Sequence, residues 1–367
     1  MIVINARFLT QQTRGVQRFA EQISLELASL RDDLVFVTPA NITRHETAER
    51  LNARVIGHNR SHLWEQLDLP LWLLRNGRPP LVSLCNTAPL AYAEQIVTHH
   101  DITYVRYPES YSRAFRLLYC NIMPLLLRRT RALMTVSEFS REEISAHYGY
   151  PFDKISIVPN AVSEAFRPFC ASGCHEPTPY LLAVSSHNAH KNFARMVNAF
   201  LSLQGFDDVQ LHIVGDAHGV FAGLNADLAQ HPRIRLLGRL TDEELVEQYQ
   251  GATAFVFPSL YEGFGIPPLE AQACDCPVIA ANSASIPEVL GRSALYFDPL
   301  NLSSMALAMR RILENAELRN DLRALGRANV ARFAWKSSAL KVSDLIDQVL
   351  TGKRSPRQLV GLSATRH

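Results

Sequence analysis

Two glutamates, Glu262 and Glu270, stand eight positions apart in the stretch PSLYEGFGIPPLEAQ, with Gly263, Gly265, Pro267 and Pro268 between them. The run before it, Thr253–Phe257, is apolar and short enough for a buried strand, and the residues after Pro268 (LEAQACD) read as a helix with proline in its tolerated first turn. A strand, a glycine-bearing turn and a helix start make an anion site, because unpaired N–H groups and the positive end of the helix dipole face whatever lies above the turn. The turn Gly263–Phe264–Gly265–Ile266 lets a ligand approach the backbone closely, since glycine carries no side chain to block it. Two carboxylates beside a phosphate cradle suit hydroxyl-rich groups such as a ribose and a sugar ring. Each acid also has a plainer reading: Glu270 can stabilise its own helix start, and Glu262 can be a solvated loop acid.

Three further places carry candidate chemistry. Lys191, in SSHNAHKN, precedes a predicted helix, where a lysine can pair as a point charge with a diphosphate; lysine is scarce in this chain. His100 and Asp101 follow the strand QIVT, and strand C-terminal ends are where α/β folds place reactive groups, so His100 is expected to face a cleft. His99 is the weaker candidate, because neighbouring residues at a strand end point opposite ways. Asp101 can equally cap a turn. Gly15 ends a polar loop and opens a helix that carries Gln17 and Arg18 in its first turn.

The elements that must position these groups alternate in the α/β manner. Strands are predicted at Ile2–Ile4, Leu34–Thr38, Arg54–Ile56, Leu81–Leu84, Gln95–Thr98, Ala132–Val136 and Ile155–Val158, with helices at Gly15–Leu30, Ser112–Arg129 and Ser140–Tyr148. Ser137 is an N-cap candidate for the last, with Ser140 the alternative. The irregular RPFCASGCHEPTP, residues 167–179, reads as a linker between a first domain, 1–166, and a second, 180–350; residues 351–367 form a polar tail. In the second domain strands are predicted at Tyr180–Ser185, Gln210–Val214, Ile234–Leu237, Ala254–Phe257, Val278–Ala280 and Ala294–Phe297. Helices follow at Phe193–Leu203, Asp242–Tyr249, Leu269–Cys274, Ser303–Glu314, Glu317–Phe333 and Ser337–Leu350. Two Rossmann-like domains with open, mostly parallel sheets then face a cleft between their strand C-terminal ends.

Composition narrows the classes. The 367 residues, 47% hydrophobic and 20% charged with a formal net charge of +2, describe an ordinary globular chain of two domains and argue against a nucleic-acid partner. Six cysteines without a C-x2-C pair point to a reducing compartment, and the start MIVINARF opens directly on a strand, so a cytoplasmic protein is expected. Cys170, Cys174 and His175 lie close together, but chance placement in a linker accounts for them better than a metal site. No D-x-D triplet occurs, so the usual acidic clamp for a metal–diphosphate complex is missing and metal-independent chemistry without a bound cofactor is expected. Residues 113–131 carry five arginines among apolar residues and no acid, a face suited to anionic lipid at the inner surface of a plasma membrane. A core-packed helix with a solvated basic side is the competing reading.

The paired glutamates resemble the E-x7-E signature of retaining glycosyltransferases of the GT-B type, in glycosyltransferase family 4. The likeness extends through the loop Thr13–Arg18, HHDITYVRYPE (His99–Glu109), TVSEFSR (Thr135–Arg141), VPNAV (Val158–Val162), HKN (His190–Asn192), IVGD (Ile213–Asp216) and LGRL (Leu237–Leu240). Their combination is similar to the bacterial mannosyltransferase branch that builds surface polysaccharides such as lipopolysaccharide. The resemblance implies a nucleotide-sugar co-substrate bound mainly by the second domain, an acceptor bound by the first, and a last helix that crosses back. It assigns Glu262, His100 and Lys191 to catalysis. It assigns Glu270 to the ribose, and Gly263, Phe264, Gly265, Ile266, Ser186, Leu240 and Gly15 to the donor. The acceptor, a glycan or lipid-linked glycan, falls to Arg18 and Asp101. Many relatives carry an arginine where Ser185 and Ser186 stand, so a second phosphate-binding cation would have to come from Arg195, Arg239 or His187. The donor implied is GDP-mannose, with a UDP-hexose as the alternative. An epimerase or phosphorylase on the same plan, or a catalytically inactive nucleotide-sugar-binding module, are the rival functions.

Overall fold

The computed structural model describes residues 1–168, 178–184, 188–215 and 231–352. Its first half is a seven-stranded sheet of β1 (Ile2–Asn5), β2 (Leu34–Thr38), β3 (Arg54–Val55), β4 (Leu81–Ser83), β5 (Gln95–Thr98), β6 (Ala132–Thr135) and β7 (Ile155–Ile157). The order is β3-β2-β1-β4-β5-β6-β7 and every pairing is parallel. The second half holds β8 (Tyr180–Val184), β9 (Gln210–Val214), β10 (Ile234–Gly238), β11 (Ala254–Phe257), β12 (Val278–Ala281) and β13 (Ala294–Phe297), parallel in the order β10-β9-β8-β11-β12-β13. Strands covered by helices on both faces must be apolar throughout, and IVIN, QIVT, AFVF and VIAA are buried at every position. Chain order reverses between β1 and β4 and again between β8 and β11, the places where open α/β sheets leave a crevice for a ligand.

Around the first sheet lie α1 (Gly15–Leu30), α2 (His45–Arg50), α3 (Ser61–Leu63), α4 (Leu69–Arg75), α5 (Thr103–Arg106), α6 (Arg113–Leu127) and α7 (Glu138–Tyr148). Around the second lie α8 (Phe193–Leu201), α9 (Asp242–Gly251), α10 (Ile266–Ala273), α11 (Ile286–Leu290), α12 (Leu302–Glu314), α13 (Ala316–Val330) and α14 (Trp335–Thr351). Ser137 caps α7 by accepting from the Ser140 amide, and Pro124 sits inside α6 without ending it. One prediction needs correcting: helix α10 begins at Ile266, not Leu269, with Pro267 and Pro268 in its first turn as expected. The short helices between His45 and Arg75, with a π-helical turn at Trp64–Asp68 before α4, carry no periodicity that marks them in advance, and none is predicted there. Of the predicted linker, residues 169–177 lie outside the described residues, as do Cys170, Cys174 and His175 and the tail from 353.

Helix α14 leaves the second sheet and packs against α1. Trp335, Ala339, Val342 and Ile346 are buried there, the Trp335 and Phe19 rings stand 6.2 Å apart, and Ser338 donates to the Pro159 carbonyl at 2.7 Å. Arg31 at the end of α1 completes the seam with hydrogen bonds to Ser343 and Asp347.

Candidate active site

The two halves meet over the starts of α1 and α10. A Cβ built on Gly15 would lie 3.8 Å from Ile266 Cδ1, so the loop that opens α1 touches the first residue of α10. Gly265, the residue before α10, has φ +89°, a left-handed conformation that L side chains rarely adopt, and a Cβ there would meet the Phe257 ring at 3.3 Å. Pro267 and Pro268 lack N–H groups, so this helix start offers an anion fewer donors than its dipole alone suggests. Phe264 is buried with its ring edge-on to Phe333, and Leu240 packs half-buried before Thr241, the N-cap of α9.

The structure joins two of the predicted groups directly. Lys191 Nζ donates to Glu262 Oε1 at 2.5 Å, and both side chains are largely buried. Burial pushes the Glu262 carboxyl up, but the Lys191 ammonium, with His190 beside it, more than reverses this and holds the group below the ordinary carboxylate range. Lys191 is aimed by the turn Ala189–Lys191 and by Asn192, whose φ of +59° turns the chain into α8 and whose side-chain amide donates to the Pro258 and Pro299 carbonyls. Arg195, a candidate second cation, is committed to Asn192 Oδ1 at 2.6 Å and to the Pro299 carbonyl. Arg239 is exposed at the end of β10, whereas Ser185, Ser186 and His187 lie outside the described residues.

Glu270 is only 7% exposed, and burial raises its carboxyl to about 7; Arg18 pulls it down and Asp242 pushes it up. Arg18 donates through both Nη atoms to the Asp242 carboxylate, at 2.9 and 2.8 Å, and so bridges α1 to the start of α9. Arg18 thus stands close enough to Glu270 to act on its charge. Asp101 itself closes its own turn: Oδ1 accepts from the Thr103 amide at 2.9 Å and hydroxyl at 2.6 Å.

His100 and His99 diverge as strand geometry requires. The His99 ring turns to Tyr104, and burial lowers it to about 3. The His100 ring packs edge-on to Phe19 and its Nε2 lies 3.1 Å from the Leu84 carbonyl. A carbonyl can only accept, so Nε2 carries the proton. Burial lowers His100 to about 4 despite that bond, which makes it a neutral imidazole with Nδ1 left as an acceptor at pH 7. Gly263 lies against this segment: a Cβ there would fall 2.8 Å from Asp101 Oδ2 and 3.1 Å from the His100 carbonyl oxygen. The site is thus built from the His100–Asp101 segment of the first half and the Lys191–Glu262 pair of the second.

Sequence reasoning passed over several residues at this junction. His190 Nδ1 lies 2.9 Å from the Ser110 hydroxyl of the first half, and burial together with Lys191 lowers the ring to about 4. Its position next to Lys191 was the one available signal. Asp242, Ser285 and Glu288 had none, since their partners lie more than twenty residues away in the chain.

The Glycosyltransferase Family 4 model matches residues 13–166 and the Glycosyl transferases group 1 model residues 171–329. The O-antigen chain mannosyltransferase B of Escherichia coli is 30% identical over 267 residues, 66% of this chain and 67% of the relative. The O-antigen chain mannosyltransferase RfbU of Salmonella typhimurium is 30% identical over 246 residues, 65% of this chain and 67% of its own. Among solved structures, Anabaena HepE in complex with UDP and glucose superposes with a TM-score of 0.72 at 15% identity, over 95% of this chain and 99% of that one. Two parallel sheets, with the family models matched along both halves, leave one assignment: the chain belongs to glycosyltransferase family 4 and is a glycosyltransferase of GT-B fold.

Proposed function

We propose that this enzyme transfers mannose from GDP-mannose, with retention at the anomeric carbon, to a hydroxyl of a growing lipid-linked bacterial surface glycan. The observation that carries the reading is the Lys191–Glu262 pair at the β8/β11 crevice, set against the His100–Asp101 segment. The relatives named as O-antigen mannosyltransferases favour mannose and an O-antigen type of acceptor.

In this reading the second domain holds the donor, with Glu270 on the ribose hydroxyls, Leu240 near the nucleoside, and the Gly263–Ile266 turn and Gly15 against the diphosphate. Departure of the diphosphate leaves positive charge on the sugar and negative charge on phosphate oxygens. Lys191 neutralises the latter, and a charge already in place needs no reorganisation at the moment of bond breaking. Glu262, kept ionised by Lys191, binds the transferred sugar. It is a weak nucleophile in that pair, so attack by the acceptor hydroxyl on the leaving-group side, with a phosphate oxygen taking its proton, is preferred over a glycosyl–enzyme intermediate. The neutral His100 offers Nδ1 as an acceptor to a sugar hydroxyl, and the acceptor binds the first domain near Asp101. The reaction runs without metal, so turnover should persist in excess chelator.

Helix α6 supplies the membrane contact in this account. Leu117 and Leu125, 69% and 51% exposed, share one helix face with Asn121 and Arg128, and a cleft of about 400 Å³ at its C-terminal end is lined by Arg128, Arg131, Lys154, Tyr148 and Tyr150. Apolar residues flanked by cations match an anionic bilayer surface. No helix among the described residues is long and apolar enough to cross a membrane.

The test is transfer itself. Radiolabelled GDP-mannose incubated with the enzyme and membranes bearing lipid-linked glycan should label the lipid fraction. Labelling from a UDP-hexose alone would replace the donor, and binding without any transfer would favour the inactive module.

A further inference from the structure

The start of α7 is held by the other half of the molecule. An α-helix begins with N–H groups that have no partner inside the helix. In α7 the Ser140 amide donates to Ser137 Oγ at 3.0 Å, whereas the Glu138 and Phe139 amides donate to the two carboxylate oxygens of Glu288, at 2.7 and 3.0 Å. Glu288 belongs to α11 of the second half, 150 residues further along the chain. The reverse contact lies alongside it: the hydroxyls of Ser137 and Ser140 both donate to the Gly263 carbonyl, at 2.6 and 3.1 Å. Ser285, one helical turn before Glu288, donates to the carbonyl of Glu262 at 2.9 Å. The carbonyls of Glu262 and Gly263 are therefore gripped from both sides, one by α11 and one by α7, and Glu288 ties those two grips together.

We propose that Glu288 is a positioning residue for transfer: by capping α7 it couples the Glu262–Gly263 loop to the first domain, so the loop takes its reactive geometry only when the two domains are closed. Glu288 makes no contact with the Lys191–Glu262 pair, and its carboxylate is exposed, so the contribution is to geometry and not to core stability. A carboxylate at a helix start is favoured by the helix dipole as well as by its two hydrogen bonds, which makes the contact strong enough to matter yet open to water when the domains part. The inference rests on the transferase reading for its effect on turnover and on geometry alone for its effect on closure.

The experiment compares wild type, Glu288→Ala and Glu288→Gln by small-angle scattering, by calorimetry with GDP and UDP, and by transfer rate. Glu288→Ala should increase the radius of gyration, leave nucleotide Kd within about threefold, and lower kcat about tenfold or more. Glu288→Gln keeps one acceptor oxygen and should recover part of both losses. Scattering and kcat unchanged in Glu288→Ala would overturn the proposal, as would a fall in kcat matched by an equal loss of nucleotide affinity. A wild type without transfer activity would refute the transferase reading, while the scattering comparison would still decide the clasp.

Discussion

A lysine and a glutamate within 2.5 Å of each other, both largely shielded from water, depend on each other's charge. Lys191→Ala removes a charge-stabilising donor and also strands the Glu262 carboxylate, so turnover should fall ~100-fold or more, the loss typical of a preorganised charge-stabilising group. Near-normal turnover would remove Lys191 from the site. The two glutamates should separate. Glu262→Gln should chiefly depress kcat, whereas Glu270→Ala should mainly weaken nucleoside diphosphate binding, which calorimetry measures; equal losses of affinity in both would contradict their assigned roles. Each of these residues stands out singly in the sequence by type and neighbours. Their partnerships do not: Lys191 and Glu262 are 71 residues apart and Arg18 and Asp242 are 224 apart, and no local pattern encodes such distances. Arg195 shows the same limit, since a residue's type reveals its chemistry but not the carbonyl that already occupies it. The turn at Asp101 is local, two residues long, and is one of the two readings its sequence offers.

Elements were far more legible than pairings. Parallel strands buried on both faces must be continuous apolar runs, and so Leu34–Thr38, Gln95–Thr98, Gln210–Val214, Ala254–Phe257 and Ala294–Phe297 fall where predicted. The segment from His45 to Arg75 was not, because helices of one or two turns have no period to display. The first-turn position of proline in α10 is as expected, but the helix starts three residues before Leu269, because two consecutive prolines leave the exact first residue open in the sequence. At this scale the close approach of the Gly263 loop to the segment after β5 makes a sharp prediction. Any Cβ at position 263 would sit 2.9 Å from Asp101 Cβ, closer than real carbons pack, on a loop already tied from both sides. Gly263→Ala should force the halves apart and lower kcat about tenfold, with nucleotide Kd nearly unchanged; wild-type kcat would show that the loop yields freely.

For the whole molecule, pH acts through groups that burial holds neutral. His99, His100 and His190 are lowered to about 3, 4 and 4 in the folded chain, whereas in the unfolded chain each binds a proton below its ordinary value of 6.5. Stability from these groups is present above pH 6.5 and is lost as pH falls below it, down to about 4 for His100 and His190 and about 3 for His99. Glu270 works in the opposite direction. With a folded value near 7 against an ordinary 4.5, it binds a proton in the folded state that the unfolded state does not, so its share of stability declines as pH rises from 4.5 to 7. Glu270→Gln never carries the charge, and its melting temperature relative to wild type should be higher at pH 8 than at pH 5. The reverse order would mean that Glu270 is an ordinary ionised acid.

The central claim is that the second domain binds a guanosine diphosphate sugar through Lys191, and one titration tests it. GDP and UDP are titrated under identical salt into wild type and Lys191→Ala. A site that hydrogen-bonds guanine leaves polar groups unpaired with uracil, at ~1–3 kcal/mol for each, so GDP should bind at least about tenfold more tightly and lose most of that affinity in the variant. Tighter binding of UDP, or equal GDP affinity in the two proteins, would contradict it.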